Sequence, residues 1–508
     1  MIFSSIPFLF GFLPIVMLAF HLASVLGPRA TNVVLVIASL GFYAYWRLDF
    51  LPLLLISIAF NFAVGIAITA LRDRPRLQTA VLAGGVVADL LALVYYKYAV
   101  WLAGEFGFAS IAGTPLDDIV LPLGISFFTF TQIAYLIDAG QGVAATRDAL
   151  GYALFVTFFP HLIAGPILHN REMMPQFGNP ATARFQASNL AVGATIFCIG
   201  LAKKVLLADP LAADVAAGFA GVGIAGAHTV GAWQAWHAVI GYSLQLYFDF
   251  SGYSDMAIGL ARMFNIRFPL NFNSPMKATS IIDFWQRWHM TLTRFITQYI
   301  YNPTSIAVVR RLPAGNPGTR SVAGFVGVIA APTMLAMGLA GIWHGAGLQY
   351  LVFGLLHGGY IVINHAARAV VPKPRKGVVR RWAVRVPLHA GKVLLVYMCT
   401  LVAWVFFRSQ SSAAALDMLA GMAGMHGPGE WPGKTAALKT ALLLAFVWTL
   451  PNTQQIMARY DPALGRPPVP PRLLAWKPNA AWAIAFGLVA GLSLLALGNA
   501  TEFLYFQF

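Results

Sequence analysis

The chain has 508 residues, of which 58% are hydrophobic and only 10% charged, and its mean hydropathy is +0.70. Soluble domains carry about 25% charged residues, so this composition excludes a water-soluble fold and indicates a bundle of membrane helices. The formal net charge of +16 lies mostly in short loops between apolar segments. That is the positive-inside pattern of membrane proteins and does not indicate nucleic-acid binding.

Apolar segments follow one another along the chain, and each approaches or exceeds the length that crosses a bilayer, about 17–25 residues. The first is expected to be a retained helix and not a cleaved signal peptide, because no basic residues precede it. The sequence predicts an all-α polytopic integral membrane protein with roughly 11–13 transmembrane or re-entrant helices. The predicted segments are 8–26, 31–47, 50–71, 78–102, 119–139, 149–167, 187–207, 232–262, 322–341, 344–370, 387–407, 436–452 and 479–499.

Two of these segments carry residues that interrupt a helix. Pro122 and Gly124 fall in the first, and Pro160, Gly165 and Pro166 fall in the second. Irregular backbone at membrane depth is tolerated only where protein buries it or where it lines a cavity. Both segments are therefore predicted to form walls of an internal site.

Basic residues cluster in four loops, which we assign to the cytoplasm. Counting spans from these loops places both termini outside and makes 409–435 an external loop. We predict one integrated membrane domain over 1–508, with N-terminal helices in 1–118, a core in 119–370 and C-terminal helices in 371–508. The clustered residues are Arg72, Arg74, Arg76, Arg310, Arg311, Arg320, Lys373, Arg375, Lys376, Arg380, Arg381, Arg385, Arg459, Arg466, Arg472 and Lys477.

The polar stretch 265–303 has the residues for a site. It begins with a turn-rich part that includes Asn273 and continues as a predicted amphipathic helix over 281–296, expected at the interface or in a cytoplasmic funnel. Asp283 and Arg287 stand four residues apart and are predicted to pair on one face of this helix. Its aromatic face is formed by Trp285, Trp288, His289, Leu292 and Ile296.

His344 lies in the apolar, glycine-rich segment Gly338-Leu-Ala-Gly-Ile-Trp343-His-Gly-Ala-Gly347. An ionisable side chain at membrane depth is costly and marks a functional site by default, and histidine moves protons near neutral pH. His357 is predicted to face the same cavity. Core packing for His344 and an interfacial position for His289 are the alternatives, and the residues alone leave them open.

Other polar groups within apolar segments have a structural interpretation of similar weight. Asp249 and Tyr253 lie in an aromatic run, where a helix-packing network is the favoured role for the carboxylate. His161 either lines a tunnel or packs against its neighbours. The histidine spacings predict no zinc site, and no P-loop, Rossmann or nucleophile-elbow motif is present. The residues therefore permit a group-transfer enzyme or a proton-coupled transporter and do not choose between them.

Seven motifs follow one another along nearly the whole chain. They are Met1-Ile-Phe-Ser-Ser-Ile-Pro-Phe-Leu-Phe, Leu121-Pro-Leu-Gly-Ile-Ser-Phe-Phe-Thr-Phe, Phe158-Phe-Pro-His-Leu-Ile-Ala-Gly-Pro-Ile, Tyr247-Phe-Asp-Phe-Ser-Gly-Tyr-Ser-Asp-Met-Ala-Ile-Gly-Leu, Phe284-Trp-Gln-Arg-Trp-His-Met-Thr-Leu, Gly341-Ile-Trp-His-Gly-Ala-Gly and Tyr505-Phe-Gln-Phe. In this order they resemble the membrane-bound O-acyltransferase family, in particular its branch that acetylates alginate-type exopolysaccharides.

The resemblance implies that His344 is the catalytic base and His289 the second functional histidine. It also implies a central acyl-transfer channel with no metal and no bound cofactor, which takes an acyl thioester, foremost acetyl-CoA, as donor substrate. The candidates for the substrate and donor channel are Trp285, Trp288, Trp343, Asn273, Asp249, Tyr253, His161 and His357.

The implied function is to pass an acyl group, foremost acetyl, across the bacterial inner membrane for O-acetylation of an exopolysaccharide such as alginate. The polysaccharide would be reached directly or through a periplasmic acetyltransferase partner. The implied partners are the donor, that protein, the polysaccharide and membrane lipid, without nucleic acid. D-alanyl transfer to teichoic acid from a carrier-protein thioester and a non-catalytic acyl or polysaccharide transporter stay open as alternatives.

Overall fold

The structure is a computed structural model of the chain. It describes residues 1–107, 110–111, 114–115, 119–143, 147–220, 222–223, 229–311, 321–371, 382–465, 469–471, 473–499 and 503–504. Several residues on which the orientation and the motifs depend lie outside the described residues. These are Arg320, Lys373, Arg375, Lys376, Arg380, Arg381, Arg466, Arg472 and the motif 505–508.

Most of the described residues are helical, and the all-α membrane fold is confirmed. A short antiparallel ribbon pairs Ser110–Ile111 with Thr114–Pro115. Within the described ranges, seven helical segments are long and apolar enough to cross a membrane, judged by length and composition. They are Pro7–Leu26, Leu48–Ala70, Pro75–Phe106, Ala187–Phe219, Val322–His344, Val384–Arg408 and Ala480–Gly498.

The chain divides into two compact units whose parts alternate along the sequence. The helix Ala232–Met263 has residues in both units. The sequence-level division at residues 118 and 370 stays a prediction. Unit 1 comprises Met1–Leu206, Asp249–Leu270 and Thr453–Gln507, and unit 2 comprises Leu207–Phe248, Asn271–Asn452 and Phe508.

Unit 1 contains the two segments that were predicted to be broken. The helix Ile125–Gly140 begins directly after Gly124, which has a φ of +73°. The second segment ends its first helix at Thr157 and makes a separate turn at Phe159–Leu162. A Cβ on Gly124 would lie 2.7 Å from the carbonyl oxygen of Leu162. The two broken segments therefore meet backbone to backbone, which only glycine permits.

The longer helices of unit 1 overlap the predicted apolar segments, whereas Asn170–Phe177 and Thr453–Ile456 lie outside them. Its α-helices are Leu13–Ala23, Pro28–Ala44, Leu51–Ala70, Pro75–Phe106, Ile125–Gly140, Ala149–Thr157, Phe159–Leu162, Asn170–Phe177, Ala187–Ala202, Thr453–Ile456 and Ala480–Leu495. Its short 3₁₀- and π-helical segments are Pro7–Phe12, Ser24–Leu26, Leu48–Phe50, Pro180–Ala183, Ala458–Tyr460 and Leu497–Asn499. The π-helical segment Lys203–Ala208 begins in this unit.

Two buried ion pairs hold unit 1 together. Lys203 Nζ lies 2.6 Å from Asp255 Oδ2, and Lys204 Nζ lies 2.9 Å from Asp249 Oδ1. The side chains of Lys204 and Asp249 are only 4% and 2% exposed. Charges removed from water to this degree persist only when each has a partner, because desolvating an ion costs several kcal/mol. The pairs therefore fix Ala187–Ala202 and the turn after it against the segment from residue 249 onward.

The same carboxylates tie down the C-terminal part of unit 1. Asp255 accepts hydrogen bonds from Thr453 Oγ1 at 2.5 Å and from Gln454 Nε2 at 2.9 Å. Asp249 accepts one from the backbone N–H of Leu504 at 3.0 Å. Each carboxylate thus has a cation and at least one hydrogen-bond donor, which is the arrangement that a buried charge requires.

Unit 2 contains the segments around His344. The sequence predicted a break after residue 341, but the structure places it after His344, which ends the helix Ala331–His344. The correction has a steric reason. A Cβ on Gly341 would overlap the carbonyl of Tyr350 and press on Gly354. Because the helix continues past Gly341, this residue faces the helix Leu348–Val370 at a distance that leaves no room for a side chain.

The helices of unit 2 range in length from the four residues of Val322–Phe325 to the 27 residues of Trp382–Arg408. They are Ala212–Phe219, Ile281–Trp285, Met290–Ile296, Asn302–Val309, Val322–Phe325, Ala331–His344, Leu348–Val370, Trp382–Arg408, Ser412–Met422 and Lys434–Thr449, with the turns Asp209–Leu211, Pro275–Lys277, Thr297–Tyr301 and Val326–Ala330.

Removing one member of a buried ion pair is predicted to destabilise unit 1 strongly. Lys204→Met leaves the Asp249 carboxylate uncompensated and should lower the free energy of unfolding by about 3–5 kcal/mol. The double variant Lys204→Met/Asp249→Asn has no net buried charge and keeps an acceptor for Leu504, so it should recover much of that loss. The measurement is the thermal unfolding midpoint of the purified protein in lipid nanodiscs.

The matched control is the exposed ion pair of Arg47 and Asp49, whose nitrogen and oxygen lie 3.6 Å apart. Asp49→Ala should change stability by less than about 1 kcal/mol, because exposed pairs contribute little. A Lys204→Met protein as stable as the wild type would show that the buried pair does not hold this unit.

Candidate active site

Two of the predicted histidines meet at one tryptophan in unit 2. The rings of His289 and Trp343 have centroids 6.2 Å apart, and those of Trp343 and His344 lie 4.8 Å apart. His289 has no exposed surface, and Trp343 and His344 are each 5% exposed. The structure therefore places both predicted catalytic histidines next to a single buried indole.

His357 belongs to the same aromatic cluster. Its Nδ1 accepts a hydrogen bond from Trp285 Nε1 at 3.2 Å. An indole N–H can only donate, so Nδ1 of His357 carries the lone pair. Phe353 contacts both His344, at 5.9 Å between ring centroids, and His357, at 4.9 Å. The prediction that His344 and His357 face one region of the fold agrees with this shared neighbour.

The amphipathic helix predicted over 281–296 is wrong as a single helix. The structure has two short helices, Ile281–Trp285 and Met290–Ile296, and His289 precedes the second with φ 43° and ψ 52°. This left-handed conformation is costly for a residue that is not glycine and is typically held in place at functional sites. The predicted pair does form, with Arg287 Nε 2.6 Å from Asp283 Oδ1.

Asn271 explains the break, and sequence reasoning did not select it as a site residue. Its carbonyl accepts from the N–H of Met290 at 2.9 Å, and its Oδ1 accepts from the N–H of Thr291 at 3.3 Å and the Thr291 hydroxyl at 2.9 Å. These bonds cap the second helix from a separate segment. The chain must leave the helical conformation at His289 to present these donors to Asn271.

The side-chain oxygen of Asn271 also determines which ring nitrogen of His289 carries the hydrogen. Asn271 Oδ1 lies 3.2 Å from His289 Nδ1. Because this amide oxygen can only accept, Nδ1 carries the hydrogen and the lone pair lies on Nε2. His289 stands in a connection outside the seven apolar spans, and its complete burial lowers the pKa of the imidazole to about 3. The ring is therefore neutral near pH 7.

Asn273 stabilises the connection around His289, but its hydrogen bonds are made with residues other than the histidines. Its N–H donates to the carbonyl of Arg287 at 2.9 Å, and its Oδ1 accepts from Asn452 Nδ2 at 3.0 Å. Trp288 packs in the wall of the cluster, with its ring 5.3 Å from that of Trp404. For both residues a role in the donor channel stays a prediction.

Three of the predicted site residues belong to unit 1, where each has structural partners. His161 Nε2 donates to the carbonyl of Phe155 at 2.9 Å. Asp249 pairs with Lys204, and the ring of Tyr253 stacks on Phe503 at 4.4 Å. These contacts agree with the packing alternative for each residue, and a role in the channel stays a prediction.

An open groove of about 390 Å³ is lined by Met290, the residue after the buried His289. It lies over the helix Met290–Ile296 and the turn that follows, Thr297–Tyr301. Its lining mixes polar side chains with the Arg294 guanidinium and the indole of Trp285. The lining residues are Trp285, Gln286, Met290, Thr293, Arg294, Thr297, Gln298 and Asn302. A groove of this composition accommodates an extended polar molecule with anionic groups.

No group of three or more His, Cys, Asp or Glu side chains suited to a metal ion occurs in the part of the chain that the structure describes. The two histidines lie among aromatic rings, and the Asn271 amide oxygen is a polar partner of His289. That setting suits proton transfer and hydrogen bonding to an uncharged reactant.

Comparison with known proteins identifies the family of the chain. The pattern of MBOAT, the membrane-bound O-acyltransferase family, matches residues 119–312. A peptidoglycan O-acetyltransferase of Helicobacter pylori is 36% identical over 454 residues, which cover 84% of this chain and 80% of that protein. A probable alginate O-acetylase of Pseudomonas putida is 33% identical over 540 residues and the full length of both. A teichoic acid D-alanyltransferase of Bacillus subtilis is 28% identical over 278 residues, covering 54% of this chain and 66% of that protein.

The polytopic helical fold with its buried histidine pair is common to membrane enzymes and transporters, and the relatives decide between them. The extent of these similarities shows that the chain belongs to the membrane-bound O-acyltransferase family. The protein is therefore a multi-pass membrane acyltransferase, and the purely transporting alternative is set aside.

Removing the Asn271 side chain is predicted to reduce acyl transfer because His289 loses its orienting acceptor. Asn271→Ala should lower the transfer rate about 10–100-fold, the range typical of residues that orient a functional histidine. It should also lower stability by about 1 kcal/mol through the lost helix cap. The rate is measured with a labelled acyl thioester and stability by thermal unfolding.

Asn479 provides a matched control, since its side chain caps another helix by accepting from Trp482 N–H at 3.0 Å. Asn479→Ala should cost similar stability and leave transfer unchanged. Equal losses of transfer in both variants would mean that Asn271 acts only through stability.

His289→Gly and His289→Ala are predicted to differ in stability although both remove the imidazole. Glycine adopts a φ of 43° without strain, whereas alanine does not. His289→Gly should therefore be more stable than His289→Ala by about 1 kcal/mol. Thermal unfolding in nanodiscs measures the difference, and equal midpoints would contradict the strain argument.

Proposed function

We propose that the protein transfers an acetyl group from a cytoplasmic thioester, acetyl-CoA foremost, to an extracytoplasmic polysaccharide. The observation that carries this proposal is the proximity of His289 and His344 to the same buried indole, Trp343. Support also comes from the relatives named for acetylation of peptidoglycan and alginate, which match most of the chain. Transfer reaches the polysaccharide directly or through a periplasmic acetyltransferase partner.

In the proposed step, His344 removes the proton from an attacking hydroxyl group as its oxygen bonds to the thioester carbonyl carbon. The tetrahedral intermediate then collapses, the carbon–sulfur bond breaks, and the proton passes from His344 to the departing thiolate. A positioned base of this kind contributes about 10²–10⁴-fold to the rate. The acyl group ends on oxygen and the donor leaves as a thiol.

His289 and Trp343 take complementary roles in this scheme. With its hydrogen committed to Asn271, neutral His289 accepts a hydrogen bond at Nε2 and so orients a hydroxyl or another donor. Trp343 has an indole N–H, which only donates. We assign it to the oxyanion that develops on the carbonyl, where a preorganised donor lowers the barrier.

The groove beside His289 is the proposed entry for the donor. Arg294 suits the phosphates of a nucleotide thioester, and the polar side chains of Thr293, Thr297 and Asn302 suit its amides. The positive-inside pattern places Arg310 and Arg311 of the following helix end in the cytoplasm. The donor would thus bind from the cytoplasmic side of a bacterial inner membrane, with both termini of the chain outside.

D-alanyl transfer from a carrier-protein thioester is the second candidate, because a teichoic acid D-alanyltransferase matches half of the chain. The acetylating relatives match a larger share at higher identity, which favours acetyl. Supplying each labelled donor to the same preparation separates the two candidates.

Replacing His344 is predicted to abolish transfer. Purified protein in nanodiscs receives labelled acetyl-CoA with and without polysaccharide acceptor, and labelled product is measured. His344→Ala should lower the rate by about 10²–10⁴-fold because the base is lost, with protein yield unchanged. His21→Ala is the control, since His21 belongs to unit 1 and is none of the residues assigned to this site. Wild-type rates in His344→Ala would remove this histidine from the mechanism.

A further inference from the structure

Unit 2 contains a second cavity, separate from the groove beside His289. It has a volume of about 740 Å³ and is open to solvent. We call it the unit 2 cleft. Its polar walls come from Asp214, Thr229, Gln234, His237 and Glu430. The volume lies within the range typical of small-molecule sites, about 300–1,000 Å³. None of the proposed steps of acyl transfer uses these side chains.

Two exposed tryptophans are sequence neighbours of residues that line the cleft. Trp233 precedes the lining residue Gln234, and Trp431 follows the lining residue Glu430. Their ring centroids lie 4.8 Å apart with an interplanar angle of 80°. In this edge-to-face arrangement the edge of one indole contacts the face of the other. The two residues are 50% and 54% exposed, so part of their ring surface stays accessible.

The wall that carries Trp431 is fixed in place by backbone contacts. The carbonyls of Gly427 and Pro428 accept from the N–H groups of Ala232 and Trp233, at 3.0 and 2.9 Å. These two amides begin the helix Ala232–Met263 and would otherwise need water. A Cβ on Gly231 would overlap the Cα of Gly429. The cleft is therefore largely preformed, which lowers the cost of binding.

The chemistry of the cleft matches a sugar. The C–H face of a pyranose ring packs on an indole face, and ring hydroxyls donate to carboxylates and to the Gln234 amide. Asp214 and Glu430 make the lining acidic, and Lys439 offsets Asp214 only loosely, at 3.9 Å. An acidic lining disfavours a polyanion, so a neutral saccharide fits better than a polyuronate.

The cleft lies at the end of unit 2 where His344 lies. The ring of His344 is 5.0 Å from that of Phe407. The next residue, Arg408, places its guanidinium 5.2 Å from the ring centre of Phe219. Phe219 stands between the lining residues Gly218 and Ala220. A chain that occupied the cleft would therefore lie at the end of unit 2 where the proposed base acts.

We propose that the unit 2 cleft binds a neutral stretch of the acceptor polysaccharide and holds it at the His344 end of the unit. That the bound saccharide is the acceptor rests on the proposed function. Saccharide binding itself does not, because it requires neither the donor nor the histidines. The two ideas are therefore tested by separate measurements on the same protein.

The experiment is calorimetric titration of the full chain in nanodiscs with two hexasaccharides, a neutral β-1,4-linked N-acetylglucosamine oligomer and a mannuronate oligomer. The neutral probe should bind, and the anionic probe should bind at least about threefold more weakly. Trp431→Ala should weaken binding of the neutral probe about tenfold. Trp46→Ala, which removes an exposed tryptophan of unit 1, should leave it unchanged.

Two further variants separate the possible outcomes. Glu430→Gln should bring the affinities for the two probes closer together, because it removes a repelling charge. His344→Ala should bind the neutral probe like the wild type although it has lost transfer. Absence of binding to the wild type, or wild-type binding by Trp431→Ala, would overturn the cleft as a saccharide site. If Trp431→Ala lowered only the stability of the protein in the membrane, the saccharide site would be overturned. Trp431 would then be an aromatic anchor at the membrane interface.

Discussion

Buried charge is the constraint on which the organisation of unit 1 depends. Lys203 and Lys204 are adjacent in sequence, yet each faces a carboxylate that arrives from a distant part of the chain. In an apolar environment neither lysine can remain charged without its partner, so the pairs specify which helices meet. Asp249, a predicted channel residue, is one of these partners. It pairs with Lys204 and accepts a hydrogen bond from the backbone N–H of Leu504.

Around the histidine pair, unit 2 meets the same constraint with neutral groups. Trp285 donates to His357 and His289 donates to Asn271, so these hydrogen bonds join indole, imidazole and amide groups. A neutral histidine can remain buried at little cost and still exchange a proton with a reactant. This difference in chemistry fits a unit that holds the proposed reaction, where a fixed charge would compete with the reactants for the proton.

Much of the fold was predictable because hydropathy and helix-breaking residues act locally. The apolar segments, the breaks near Gly124 and Phe158 and the pair of Asp283 and Arg287 all follow from short-range patterns. The continuous helix through His289 was wrong because its break is imposed from outside. Asn271 lies eighteen residues earlier and supplies the cap, and a periodic pattern contains no sign of such a distant acceptor.

The histidine pair shows how far a sequence could define the site. Motifs pointed to His289 and His344 separately, but only the structure shows that Trp343 lies against both and that Asn271 fixes the tautomer of one. The strained backbone of His289 then has a physical reason. Thr291 and His289 both donate to the same Asn271 oxygen, and only a turn at His289 lets one acceptor receive both. The helix cap and the orientation of the imidazole are therefore one structural device, and neither could be altered without the other.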